Sequence, residues 1–498
     1  MKRVKGLLWM TIGLLAIFSS CSDSNDEEVK VQDPKLLTFS FKVENNQGII
    51  SEDYTVNVTS TNIEFTMPAF VDKSKLVATF TTNEDNVVLV DGVTQENSVT
   101  VNDYTVPVDF IVSNGKTNVK YTVTIAKASN MEWSSLPMFT STTLYDGVKL
   151  KINPTDGTPY MGFKIRENEN YKMSVVKWNN TAWEAVGPSD GFGSQVSSSY
   201  FDFSFDKDGT PYVVYSDQST SPISGAASLM KWGGSSWEYV GSQGFIEAQS
   251  QKISMAISND GQIFVGQVNN SRNSIYARNA FVLSTYAGSW ANAELPLLSS
   301  GSPVYLCDMA SVGDKVYLAL LNRGTVNGVN YGHSVYKYEN GQWTTLLDNY
   351  LEPNATQTSI VMLNLAVGAD GSVYLLTGDD AATTGSYQLR LRKYDPQTQA
   401  WSTVGGNPLG IILSTHSSAV VAVAPDGTPF VAYKDEADQD YPKVIYLDSE
   451  TKQWSTPVKL ADVAADNFDM VFSSTGIGYV IFTDADDHAM IYKYDIKK

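Results

Sequence analysis

Three carboxylates, Asp202, Asp308 and Asp469, stand inside otherwise apolar runs, "YFDFSF", "LCDMAS" and "NFDMVF", each six residues before a recurrent turn position. The same count in the other copies of the repeat gives Leu150, Ser254, Asn364 and Val420, so five of seven places are polar. Polar residues at one place of successive inner strands have two uses. They can hold a backbone amide of the neighbouring copy, or they can converge on a ligand. Three carboxylates around one point, Asp202, Asp308 and Asp469, suit a hard cation that prefers oxygen ligands, Ca²⁺. At a rise of about 3.3 Å per residue the ring stands roughly 20 Å from the turns, at the far mouth of a central channel. Tyr200 and Tyr305 fall just before two of the carboxylates. Flat rings there would stack on sugar CH surfaces while Asp202, Ser254, Asp308, Asn364 and Asp469 take hydroxyls.

Other chemistry is poorly supplied. His333, His416 and His488 lack metal-ligand spacing, and the chain holds neither a His-Glu-x-x-His nor a paired Cys-x-x-Cys motif. A Gly-x-Ser-x-Gly elbow is absent too. Cys307, the one cysteine besides Cys21, reads as a buried thiol. The acid pairs Asp379-Asp380 and Asp486-Asp487 could serve a glycosidase, although acidic loops are ordinarily just solvated. No residue set amounts to a catalytic signature.

The elements that must position these residues repeat. "DGTPY" occurs at 156–160 and 208–212 and "DGTPF" at 426–430, and the turn residues Asp156, Asp208, Asp260, Asp314, Asp370, Asp426 and Thr475 are 49 to 56 residues apart. Trp183, Trp237, Trp290, Trp343, Trp401 and Trp454 keep the same beat. Each unit reads as strand, Asp-Gly hairpin with φ > 0 at both turn positions, strand, long loop, strand, tight turn, strand. That period and order predict an all-β protein with a seven-bladed β-propeller over 131–498. The last unit lacks its fourth strand, and "MEWSSL" with Trp133 at the other end supplies one, so an N-terminal strand is expected to close the ring. The long loops gather on one face, where binding residues concentrate.

Ahead of the repeats, 35–128 carries short alternating runs such as "LLTFSFKVE", "KLVATFTT" and "VKYTVTIAK", which predict an antiparallel β-sandwich acting as a spacer. Residues 1–20, with Lys2, Arg3 and Lys5 before "GLLWMTIGLLAIF", read as a signal peptide, and 21–34 as an acidic polar tether. With 54 acidic against 35 basic residues the net charge is −19, which disfavours nucleic acid as a partner.

Three resemblances add to this. "FSSC" followed by "SDSNDEE" resembles a bacterial lipobox with a Bacteroidetes surface-export signal, which implies lipidation of Cys21 and a lipid-anchored, surface-exposed protein of the outer membrane. Phe18 stands where Leu is usual. The 35–128 segment resembles the immunoglobulin- or cadherin-like domains that follow such cysteines, and the blade pattern resembles Kelch-like or galactose-oxidase-like propellers. The copper radical oxidases on that scaffold need a cysteine cross-linked to tyrosine plus histidine ligands, and Cys307 alone does not furnish them. The resulting expectation is a monomeric, non-catalytic surface protein that binds a glycan through the long-loop face. A polysaccharide hydrolase or lyase on that face, and a protein-binding adhesin, stay open.

Overall fold

The structure is a computed structural model that describes residues 32–139, 147–167, 170–298, 302–326, 329–351, 362–380, 387–406, 409–413, 418–449 and 451–497. Cys21, the signal peptide, most of the tether and His416 lie outside the described residues. The protein is all-β, with two single-turn 3₁₀ segments, Val43–Asn45 and Lys73–Lys75, as its helices among the described residues.

The N-terminal domain has two sheets. One orders Tyr54–Asn57, Leu36–Phe41, Leu76–Thr82 and Val101–Asn102. The other orders Asn62–Met67, Asn118–Lys127, Val108–Ser113, Val87–Val90 and Val93–Thr94. Alternation buries one face of each: Phe39, Phe41, Phe65, Phe110 and Tyr104 form a single core. The expected antiparallel sandwich needs one correction. Asn62–Met67 runs parallel to Asn118–Lys127, the strand before the repeats, making that sheet mixed. A parallel pair needs a long crossover, here residues 68–117, about half of the domain, which local alternation cannot reveal.

Residues 131–497 form antiparallel units of four strands, one with a fifth short strand, Ile412–Leu413, and the first two units share one eight-stranded sheet because Asn170–Trp178 pairs with Phe192–Phe205. Their innermost strands are Val148–Ile152, Phe192–Phe205, Ser250–Ile257, Val304–Val312, Leu363–Val367, Ala419–Val423 and Asp466–Phe472. Each lies beside the next, and the last lies beside the first, the arrangement of a β-propeller. Met131–Ser135 pairs antiparallel with Ala489–Ile496, so the sheet that ends the chain draws its outermost strand from before the first unit. Trp133 packs there on Tyr494 at 4.8 Å.

The Asp-Gly hairpins differ from the expected two-residue form. In the second unit Asp206 N donates to Thr210 O and Gly209 N to Asp206 O, and only Gly209, at φ +81°, is left-handed. That is a type I turn followed by a glycine bulge, and the aspartate has another use. Asp156, Asp370 and Asp426 each accept from the backbone N–H two residues on. In the fourth unit the order is reversed: Gly313, at φ +60°, precedes Asp314 between the paired Val312 and Lys315.

The N-terminal domain docks on the tight-turn face. Phe70 inserts between the last two units, 5.0 Å from Phe430, 5.7 Å from Tyr446 and 5.8 Å from Tyr494. Gly476, in the hairpin of the last unit, has no room for a side chain because the Phe70 backbone lies 2.9 Å from where a Cβ would be. The long-loop face is left on the opposite side.

Candidate functional site

The inner polar residues are placed by register, and register corrects one of them. Phe205 pairs with Pro211 across the second hairpin and Ile152 with Pro159 across the first, so the first hairpin is one residue longer. Lys149 therefore takes the place that counting gave to Leu150. The ring reads Lys149, Asp202, Ser254, Asp308, Asn364, Val420, Asp469.

Every backbone N–H that follows a ring position has an acceptor from this ring. Asp202 Oδ2 accepts from Met255 N at 2.7 Å, and Ser254 Oγ from Met309 N at 3.0 Å. Asp308 Oδ2 accepts from Leu365 N, Asn364 Oδ1 from Val421 N and Asp469 Oδ2 from Leu150 N, each at 2.8 Å. In all five the acceptor reaches into the next unit. Lys149 and Val420 cannot accept, and there the following unit serves itself. Asp202 Oδ1 takes Phe203 N at 2.8 Å, and Asp469 Oδ1 takes Met470 N at 2.9 Å. The side chains thus satisfy inner-strand amides that no neighbouring strand reaches.

This use competes with the expected calcium site. The carboxylates of Asp202, Asp308 and Asp469 are committed to amides, and Lys149 Nζ comes within 4.0 Å of Asp202 Oδ1. Among the described residues no group of three acidic, histidine or cysteine side chains is placed to hold a metal ion. Burial works against charge on Lys149, but Asp202, Asp469 and Asp308 outweigh it and hold the ammonium above the ordinary lysine range. Burial pushes the Asp308 carboxyl up to about 6 despite the opposing pull of Lys149. The channel cavity, about 320 Å³, is lined by Lys149, Lys151, Asp202, Asp308, Asn364 and Asp469.

Nearer the loops the inner strands bulge. Tyr200, Lys252 and Asn467, each two residues before a ring position, have φ of +66°, +52° and +55°. Left-handed backbone is unfavourable for Tyr and Lys, although Asn tolerates it, and it changes the direction in which their side chains leave the strand. Tyr305 sits in a further irregularity between Val304 and Leu306. Lys252 Nζ lies 4.8 Å from the ring centre of Tyr200 and 5.6 Å from that of Tyr305, and Arg323 Cζ is 5.6 Å from Tyr305. The two tyrosines expected to offer open faces to sugar are instead interleaved with cations. Neither Lys252 nor Arg323 was legible as a site residue. The signal available was the placement of Arg323 at the start of a long loop.

Other candidates have structural employment. His333 is buried, and burial lowers it to about 4. Cys307 is half-buried, not buried, and donates to Lys252 O. Asp484 accepts from Asp486 N and His488 N, so the Asp486-Asp487 pair belongs to a capped turn. A second set of clamps went unread: Trp237, Trp290, Trp401 and Trp454 donate Nε1–H to Val186 O, Val240 O, Leu346 O and Gly405 O of the preceding unit. A Cβ on Gly241 would lie 2.8 Å from Trp290 Nε1, which explains the glycine of the recurring Trp-x-x-Val-Gly.

The arrangement defines a two-domain all-β chain whose propeller carries a cationic, aromatic rim on the face away from its N-terminal domain. Residues 37–125 match the family model described as "SGBP, N-terminal", the N-terminal domain of Bacteroidetes surface glycan-binding proteins. No curated protein matches. Similar solved structures include a PL25 ulvan lyase bound to -[GlcA(1-4)Rha3S]-, at 14% identity and TM-score 0.48, covering 72% of this chain and 95% of the lyase. An α-L-arabinofuranosidase from Fusarium graminearum has 13% identity and TM-score 0.42, covering 74% and 98%. The β-propeller domain of the Trilobed protease from Pyrococcus furiosus has 12% identity and TM-score 0.43, covering 71% and 97%. No function follows from likeness at that level.

Proposed function

We propose that this chain is a lipid-anchored surface protein that binds a glycan without cleaving it. In this reading Cys21 carries the lipid, and 35–128 is an immunoglobulin-like domain. The repeat units are the blades of a seven-bladed propeller closed by Met131–Ser135, and the monomer recognises its ligand on the long-loop face. The observation that carries the reading is the match of 37–125 to the surface glycan-binding N-terminal model. The docking geometry supports it: the domain that follows the anchor sits on the tight-turn face, so the long-loop rim is directed away from the tether.

Two measurements test it. A glycan array probed with residues 32–498 is expected to give a discrete set of retained glycans, and Tyr305→Ala to weaken them. Release of new sugar ends from a retained polysaccharide would replace binding by a hydrolase or lyase. Cys21→Ser is expected to leave the protein out of the outer-membrane fraction after a high-salt wash, since a lipid is the anchor the reading requires.

A further inference from the structure

Charge is unevenly spread over the loop face. Four acids lie between residues 435 and 440 and three between 484 and 487, in the loops of the last two blades. Across the mouth, in the third and fourth blades, stand Lys252, Arg278 and Arg323, in a chain whose net charge is −19. None of these three cations makes an ion pair with a described residue.

Their partners are neutral and fix their aim. Arg278 gives Nε and one terminal nitrogen to Asn270 Oδ1, at 3.2 and 3.1 Å. Arg323 gives one nitrogen to Asn279 Oδ1 at 3.2 Å, while its backbone N–H is tied to Pro303 O at 2.8 Å. Asn269 braces the loop that carries Arg278, donating to Ser271 O, Tyr276 O and Ala277 O. Amide oxygens orient a guanidinium without cancelling its charge, so the planar fork keeps donors for a carboxylate or sulfate. Lys252 stands between two tyrosine rings, on a backbone of φ +52°. Surrounding rings of this kind hold a cation in place while leaving its charge unpaired.

We infer that the rim ligand is an anionic saccharide, its carboxylate or sulfate ester received by Arg323 and Lys252 with the sugar ring beside Tyr305. The inference rests on the glycan reading and narrows it to a substrate class. The acidic blades opposite repel a polyanion, so such a chain would lie across the third and fourth blades instead of spanning the mouth.

Affinity electrophoresis of residues 32–498 tests this with polymers that share a backbone and differ in charge. Dextran sulfate is set against dextran, and polygalacturonate against highly methyl-esterified pectin. The expected result is retardation by at least one charged member and by neither neutral one, weakened at higher salt. Which charged polymer retards distinguishes sulfate from carboxylate. Arg323→Gln and Lys252→Gln, at unchanged melting temperature, are each expected to weaken binding about tenfold or more, since a hydrogen bond to a charged group is lost. Lys443→Gln, on the acidic side and already paired with Asp435 and Asp438, is expected to change nothing. Equal retardation by charged and neutral members, charged binding indifferent to Arg323→Gln and Lys252→Gln, or no charged polymer bound overturns the inference. Neutral glycans retained on the array would then leave the glycan reading standing, and an empty array would remove that reading too.

Discussion

Asp308 shows how one residue can look like a ligand and serve as a clamp. Its Oδ2 holds Leu365 N, and in the next blade a neutral Asn364 does the same for Val421 N. Asp308→Asn is therefore expected to keep the clamp, while Asp308→Ala leaves a buried amide without a partner and costs about 1–3 kcal/mol. The two changes also part with pH. The folded-state pKa of Asp308, about 6, exceeds the ordinary 3.8, so between those values the folded protein holds a proton that the unfolded chain has lost. The stability from this group is full below about 4 and falls as pH rises towards 6, because the charged form must be kept in a desolvated place. Denaturation at pH 4.5 and 7.5 should show wild type losing stability relative to Asp308→Asn as pH increases. An unchanged difference would mean that Asp308 is ionised throughout.

At the scale of the element, the closing strand is the sharpest case. Leu136 N donates to Ile491 O, and alternation along an antiparallel pair turns the N–H of Ser134 the same way and that of Ser135 outward. Met131–Ser135 is the edge of its sheet, so the outward side meets no further strand. Ser134→Pro is expected to cost about 1–3 kcal/mol by deleting a ladder bond, and Ser135→Pro distinctly less, as read by chemical denaturation. Equal costs would place the strand in another register. That a strand was missing from the last unit was legible in sequence, because the strand, turn and tryptophan pattern within a blade is local. The position of Lys149 was not, because a hairpin one residue longer shifts the inner strand, VKLKI, without altering its alternation. The Trp-x-x-Val-Gly latches were written in the sequence as well, but their meaning lies between blades: each tryptophan reaches a carbonyl about fifty residues back.

For the whole molecule, the N-terminal domain that the sequence suggested as a spacer is docked on the propeller. Phe70 is buried among Phe430, Tyr446 and Tyr494, and its truncation to alanine is expected to cost about 3–5 kcal/mol. Limited proteolysis should then cut more readily between the domains, near residue 129, and an unchanged cleavage rate would show the contact to be dispensable. The sequence by itself determined the all-β class, the beat of the repeat and the face that carries long loops, since each follows from alternation, turn residues and spacing within some fifty residues. The tertiary structure decided the rest. It gave three candidate metal ligands backbone amides to hold, put Lys149 among them, set cations against the two tyrosines and seated Phe70 on the turn face. Those outcomes depend on which side chains meet across blade and domain boundaries, and such meetings are fixed by register and packing, which no local pattern encodes.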